Sequence, residues 1–288
     1  MTALGLSTLE APKARSPHIA GFRAFALLAV CVACQSISEP LGYGAALLLA
    51  LAGLAHGAIE EDERGIFSLG PGHAAIYLLA AAAIFGFWMA SPLAGLTLFI
   101  ALSAWHFIVS AKEGQSFGWT VALLTVGGSA LFRPDETINV FSAITGTAVP
   151  DLFVIVLGVL GAVGIVFALC MGLRARRHAA SLAAAVGAIA LLQPVLAVAF
   201  VFFALHAWPV TRRLCDDYGR AAFVKASAIP TILALCGVVA IAALIEFGMI
   251  HWQAAAAIMV ALATPHMLID RVGLNGFVSQ AKRPQNSP

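Results

Sequence analysis

The chain of 288 residues is 61% hydrophobic and only 10% charged, with a formal net charge of +2, and its mean hydropathy is +0.95. A soluble domain carries roughly one-quarter charged residues, so these values exclude that class and indicate an integral membrane protein. The 16 lysines and arginines are spread over short loops and tails. This distribution gives no reason to expect a nucleic-acid partner.

Apolar segments of helical length follow one another along the chain. They fit helices that cross a hydrocarbon core of roughly 30 Å and do not fit the alternating strands of an outer-membrane barrel. The segments lie near 20–37, 41–58, 73–90, 93–110, 117–132, 151–173, 179–209, 226–247 and 251–270. The sequence therefore predicts an all-α, polytopic transmembrane bundle in a single domain, 1–288, with polar tails at 1–17 and 278–288.

The first segment is predicted to be a retained helix, because no A-x-A-like cleavage site follows it. Cys31 and Cys34 spell C-x-x-C inside this segment. No soluble redox fold surrounds them, so both are interpreted as small hydrophobic residues.

Segment 179–209 is long for one span, and Gln193-Pro194 interrupts it where proline breaks the helical hydrogen-bond ladder. The positive-inside rule places the basic loops and both tails on the cytoplasmic face. That arrangement requires 179–192 and 194–209 to be two short passes or a broken re-entrant pair. We therefore expect about eight to ten membrane segments in a multi-pass protein of the inner (plasma) membrane, with both termini cytoplasmic.

Four of the eight histidines lie near the carboxyl ends of apolar segments: His56, His106, His206 and His266. The predicted topology puts all four ends on one side of the bundle. Imidazole suits iron, copper, zinc and nickel, and four neutral ligands leave a doubly charged site with room for oxygen chemistry. The pattern predicts a metal centre, with Fe(II) as the expected ion. Interfacial histidines hydrogen-bonded to headgroups or loop carbonyls are the alternative interpretation.

Acidic residues follow the histidines and are predicted to accept hydrogen bonds from ligating imidazoles. They are Glu60 and Glu61 after His56, Glu113 after His106, Asp216 further beyond His206, and Asp270 one helical turn after His266. Pro265 withholds an N–H from the carbonyl of Ala261 and is expected to loosen the turn that presents His266.

Aromatic residues crowd the same regions and are predicted to line a pocket for an elongated apolar substrate, with core packing or lipid contact as the alternative. The chosen residues are Trp105, Phe107, Phe203 and Trp208. No P-loop, G-x-G-x-x-G or H-E-x-x-H sequence occurs, which excludes the common nucleotide and zinc-protease sites. Bis-histidine haem ligation stays open as a third possibility.

The motifs GLAHGAIE, SAWHF, FFALHAWP and TPHMLID resemble the Brp/Blh family of membrane-bound β-carotene 15,15'-dioxygenases. The resemblance covers roughly residues 50 to 271 as four short islands. It implies a helical membrane enzyme that takes its carotenoid from the lipid phase and uses O2 and a non-haem iron to cleave the central double bond into two retinal molecules. Carried over by position, it implies that His56, His106, His206 and His266 bind the iron, with Glu60 where the family tends to have an aspartate.

The chain departs from the family pattern at several positions. Ala55 stands where the family has proline, no glycine follows Phe107, and Val210 stands where the family has a second histidine one turn after the first. These departures favour an alternative hypothesis, a non-catalytic carotenoid-binding or accessory subunit of a membrane pigment–protein complex.

Overall fold

A computed structural model describes residues 17–62, 65–68 and 70–269 as a helical bundle with one short hairpin. Its helices are α1 (Pro17–Ile37), α2 (Glu39–Gly53), α3 (Pro71–Ala90), α4 (Pro92–Ser110), α5 (Gln115–Phe132), α6 (Pro134–Thr145), α7 (Asp151–Arg174), α8 (Arg176–Leu191), α9 (Pro194–Phe202), α10 (Trp208–Tyr218), α11 (Arg220–Glu246) and α12 (Trp252–Ile269). The strands are β1 (Ile59–Asp62) and β2 (Gly65–Ser68), which pair antiparallel. The predicted helical class is confirmed, and the hairpin is an addition to it.

Five helical stretches in the described residues are long and apolar enough to cross a membrane: Glu39–Gly57, Pro92–Ser110, Asp151–Arg174, Pro194–Tyr218 and Arg220–Glu246. Three shorter apolar helices accompany them: Gly21–Ile37, Ala74–Ala90 and Trp252–Leu268. In the most apolar part of Pro194–Tyr218, 50% is buried, whereas in the most apolar part of Arg220–Glu246 only 6% is buried. Pro194–Tyr218 is therefore central in the bundle, and Arg220–Glu246 presents most of its apolar surface outward.

Glycines bring α5 and α7 into backbone contact. A Cβ on Gly127 would lie 2.2 Å from the carbonyl oxygen of Leu157, and one on Gly161 would lie 2.3 Å from the carbonyl oxygen of Gly127. Small residues permit such close approach between membrane helices. The pair forms one side of the main core, whose deepest residues come largely from α8 and α9.

The helix is interrupted between α8 and α9, where Leu192 and Gln193 have extended backbone, so 179–209 is broken at the predicted position. The Gln35 side chain replaces the hydrogen bonds lost at this break. Its Nε2 donates to the carbonyl of Leu191 at 3.0 Å, and its Oε1 accepts from the N–H of Gln193 at 2.6 Å. Arg133 also donates to the Leu191 carbonyl, at 3.2 Å.

Two elements were not predicted from the sequence. Helix α6 begins with Pro134, Asp135 and Glu136, so it is too polar to stand out in a search for apolar segments. The β1–β2 hairpin consists of two strands of only four residues each. Its Ile59 is buried in a small apolar cluster with Leu214 and Phe223, and the hairpin thereby lies over α10 and α11 next to the turn that carries His56.

Candidate metal centre

The four predicted histidines come from four separate elements whose carboxyl ends meet at one end of the bundle. His106 lies in regular helix at the end of α4. His56 lies in a 3₁₀ turn, Leu54–Gly57, directly after α2. His206 lies in a π turn, Phe203–Ala207, between α9 and α10. His266 follows Pro265 inside α12. His106 is therefore the one member of the four in regular α-helix. His56 and His206 lie in turns of a different helical type, and His266 follows a proline that has no backbone N–H to donate.

The π turn at His206 has a local cause. Pro209 lacks an N–H and its ring would crowd the carbonyl of Leu205 in a regular helix. The N–H of Trp208 bonds to the carbonyl of Phe203, five residues earlier. Single π turns of this kind occur frequently at functional sites.

Three of the imidazoles form a compact group. One ring nitrogen each from His56, His106 and His266 lies within 4.8 Å of the others. The ring centroids are 6.1 Å apart for His56 and His266 and 5.1 Å apart for His106 and His266. This spacing allows three nitrogen ligands to face one metal ion.

His206 stands directly beside this group. Its Nε2 lies 3.2 Å from Nε2 of His106, and its ring centroid lies 5.0 Å from that of His56. Two nitrogens that each bind a common ion at about 2.1 Å, at angles of roughly 90 to 110°, are about 3.0 to 3.4 Å apart. The His106–His206 contact therefore has the spacing of two ligands of one ion as well as that of a hydrogen bond.

The tautomer of His56 follows from its backbone contact. Its Nδ1 is hydrogen-bonded to the carbonyl of Gly53, and since a carbonyl only accepts, Nδ1 carries the proton. Nε2 then carries a lone pair, and within the described part of the chain this buried atom has no hydrogen-bond partner. A buried lone pair without a donor is costly unless something binds it. His266 makes a comparable hydrogen bond with the backbone of Ala263.

Two phenylalanines cover the histidine group. Phe107 is 5% exposed and its ring centroid lies 4.9 Å from that of His206. Phe202 lies 5.5 Å from His56 and 5.9 Å from His206. Sequence reasoning selected Phe107 but not Phe202 for the pocket. The sequence spacing could have indicated Phe202, because it precedes His206 by four residues and shares its face of the helix.

The remaining predicted residues lie in several parts of the fold. Glu60 is in β1, in register with Phe67, and Asp270 lies outside the described residues. Glu113 is exposed in the loop between α4 and α5. Trp105 is 37% exposed and Trp208 44% exposed, while Phe203 is partly buried and its ring centroid lies 6.2 Å from that of Trp208.

Apolar helices that bring buried and partly buried histidines together at one end form a candidate site for a histidine-ligated metal in a membrane protein. The sequence model of one family, beta-carotene 15,15'-dioxygenase, matches residues 47–272, which is more than half of the chain. The chain belongs to this family, and a carotenoid dioxygenase-like function follows in general. No curated protein and no solved structure gives a significant match.

The residues present fit the metal that this family implies. Imidazole nitrogen is a good donor to iron as well as to copper, zinc and nickel. The orphaned Nε2 of His56 and the close Nε2 pair of His106 and His206 are what a site built for an ion would contain. Without an ion, the buried lone pair on Nε2 of His56 would have no partner among the described residues.

Proposed function

We propose that the protein is an iron-dependent oxygenase that cleaves β-carotene, or a related carotenoid, at its central double bond with O2 to give retinal. The observation that supports this most strongly is the convergence of His56, His106 and His266, with His206 in contact, in a chain of this family. In the overall reaction one carbon–carbon double bond breaks and two carbonyl bonds form. One O2 supplies both oxygen atoms, so no external reductant is needed.

A bound Fe(II) would supply the electron chemistry that O2 activation requires. The protein supplies the ligands, their orientation and a dry environment. The Gly53 carbonyl fixes the ring of His56 and directs its Nε2 inward. Phe107 and Phe202 pack against the histidines and provide apolar surface against which a polyene would lie. Glu60 and Asp270 are proposed to support the ligands through hydrogen bonds.

The carotenoid reaches this site from the lipid in our proposal. β-Carotene is about as long as the hydrocarbon core is thick, roughly 30 Å, so it can enter sideways without passing through water. We place Phe107 and Phe203 beside the polyene. Trp105 and Trp208, each more than a third exposed, would contact it as it leaves the lipid.

We further propose eight to ten membrane segments in the inner (plasma) membrane, with both termini cytoplasmic. The five long apolar stretches and three shorter apolar helices support a count of at least eight. Helix α8 and helix α5, which run Arg176–Leu191 and Gln115–Phe132, would complete ten. With this arrangement the histidine centre lies near the cytoplasmic surface.

The test compares two histidines of the same helix region. His266→Ala removes a proposed ligand, whereas His251→Ala changes an exposed histidine just before α12. Detergent-purified wild type and both variants are assayed for iron content, absorption spectrum and retinal formation from β-carotene. We expect about one iron per chain and retinal formation for wild type and His251→Ala, and a loss of both for His266→Ala. Iron and turnover retained by His266→Ala would contradict the proposal.

Other outcomes separate the alternatives. Bound carotenoid without iron and without cleavage would identify a pigment-binding or accessory subunit, which the valine at position 210 favours. A Soret band would identify a haem protein. In either case the histidine cluster would not be the centre of a dioxygenase.

A further inference from the structure

A small cavity of about 10 Å³, room for about one water molecule, lies beside the histidine group. It is bounded by the end of α4, the start of α5 and the first turns of α10. Ser110, Glu113 and Val210 contribute to its walls, and His206 and Phe107 line it as well. It therefore joins an exposed acidic residue of the α4–α5 loop to a ligand of the proposed centre.

A divalent ion needs a polar route to the histidines, since ions do not pass through hydrocarbon. His106 and His206 are 6% and 5% exposed, so the centre is closed off from bulk water. The neighbouring helices turn apolar side chains outward, as α11 does along most of its length. The cavity at Glu113 meets the histidine group from the loop side, where water and ions are present.

The cavity wall carries two side chains with oxygen atoms besides the imidazole of His206. The exposed Glu113 offers a carboxylate at the mouth, and it is the one carboxylate among the described residues that line the cavity. Ser110 adds a hydroxyl oxygen to the wall, and that hydroxyl donates to the His106 carbonyl at 2.6 Å. His206 and Phe107 also line the cavity, with their ring centroids 4.9 Å apart.

We infer that this cavity is the loading route through which the protein takes up its divalent metal ion, with Glu113 attracting the cation at the mouth. The inference rests on the proposed metal centre. Lys112 precedes Glu113 in the chain and is not part of the cavity wall. Loss of the Glu113 charge would therefore leave a positive mouth that repels cations.

Val210 sets the width of the route. It lies one helical turn after His206 and is partly buried against the cluster of Ile59 and Leu214. A larger side chain at this position would fill the cavity, and a smaller one would widen it. Neither change touches a proposed ligand, so the number of ions bound at equilibrium is expected to stay the same.

The test measures the rate of metal uptake by apo protein in detergent, with Co²⁺ as the probe and its visible absorption as the signal. The variants are Glu113→Gln, Val210→Phe and Val210→Ala. Glu136→Gln is the matched control, because Glu136 lines a separate cavity with Arg133 at the other end of the bundle. We expect Glu113→Gln to load on the order of tenfold more slowly, with a weaker dependence on ionic strength than wild type. Val210→Phe should load more slowly, Val210→Ala faster, and Glu136→Gln at the wild-type rate.

Opposite effects at Val210, with equal final stoichiometry, would support the route, since a damaged protein does not load faster. Equal uptake rates for wild type and all three cavity variants would overturn the route and leave the metal centre standing. Failure of wild-type apo protein to bind Co²⁺ at any time would overturn the metal centre and the route together.

Discussion

At the scale of single residues, the centre depends on which nitrogen of each imidazole is available. The hydrogen bond between His56 Nδ1 and the Gly53 carbonyl selects the tautomer in which Nε2 is a ligand. Gly57 then leaves room for the partner ring, because a Cβ on it would lie 3.3 Å from Cδ2 and 3.5 Å from Nε2 of His266. The main chain around His56 thus positions two of the proposed ligands.

Gly57→Ala is predicted to weaken metal binding without unfolding the protein. The added methyl group would press on the His266 ring, which must shift by a few tenths of an ångström to relieve the contact. Small displacements of ligands and their supports typically reduce metal affinity by roughly 10- to 100-fold. Competition with a chelator measures the affinity. Gly44→Ala in α2 is the control, since a Cβ there meets nothing within 4 Å, and an unchanged affinity in Gly57→Ala would contradict the prediction.

At the scale of elements, the sequence predicted the helices well where they are long and apolar. The four histidines could be grouped because each follows an apolar run and alternating helix directions bring those ends to one face. The 3₁₀ turn at His56 and the contact between Gln35 and the α8–α9 break could not be predicted, since both depend on neighbours distant in the chain. Helix α6 was missed because its first turn is polar, although Pro134 and two acidic residues are a helix-start signal.

The α5–α7 pair offers the sharpest test of packing. Gly161→Leu would place a side chain where the backbone of α5 lies, 2.3 Å from the carbonyl oxygen of Gly127 at Cβ. The helices must separate, and overpacking of this kind costs about 1 to 3 kcal/mol or more. Gly237→Leu in α11 is the matched control, because its Cβ meets nothing within 4 Å. Thermal unfolding in detergent should show a clear loss for the first variant and little change for the second; equal stabilities would contradict close α5–α7 packing.

At the scale of the whole molecule, most basic residues of the described helices and loops lie at the same end of the bundle as the histidine group. The basic residues at the histidine end of the described helices are Arg23, Lys112, Arg174, Arg176, Arg177, Arg212, Arg213, Arg220 and Lys225. At the other end Arg133 bonds to Glu136 at 2.7 Å. This asymmetry is what the positive-inside rule describes for cytoplasmic loops. The metal centre, the Glu113 cavity and the basic loops are therefore predicted to face the same compartment, the cytoplasm.

Cysteine accessibility tests this orientation. Lys112→Cys reports on the loop between α4 and α5 at the histidine end, and Ala148→Cys reports on the exposed loop between α6 and α7 at the other end. Both are introduced after replacement of the five native cysteines. A membrane-impermeant thiol reagent should label position 148 in right-side-out vesicles and position 112 only in inside-out vesicles, because the reagent cannot cross the bilayer and the two loops are predicted to face opposite sides. Labelling of both positions from the same side would contradict the helix count. Labelling in the reverse sense would place the histidine centre, and its source of metal ions, outside the cytoplasm.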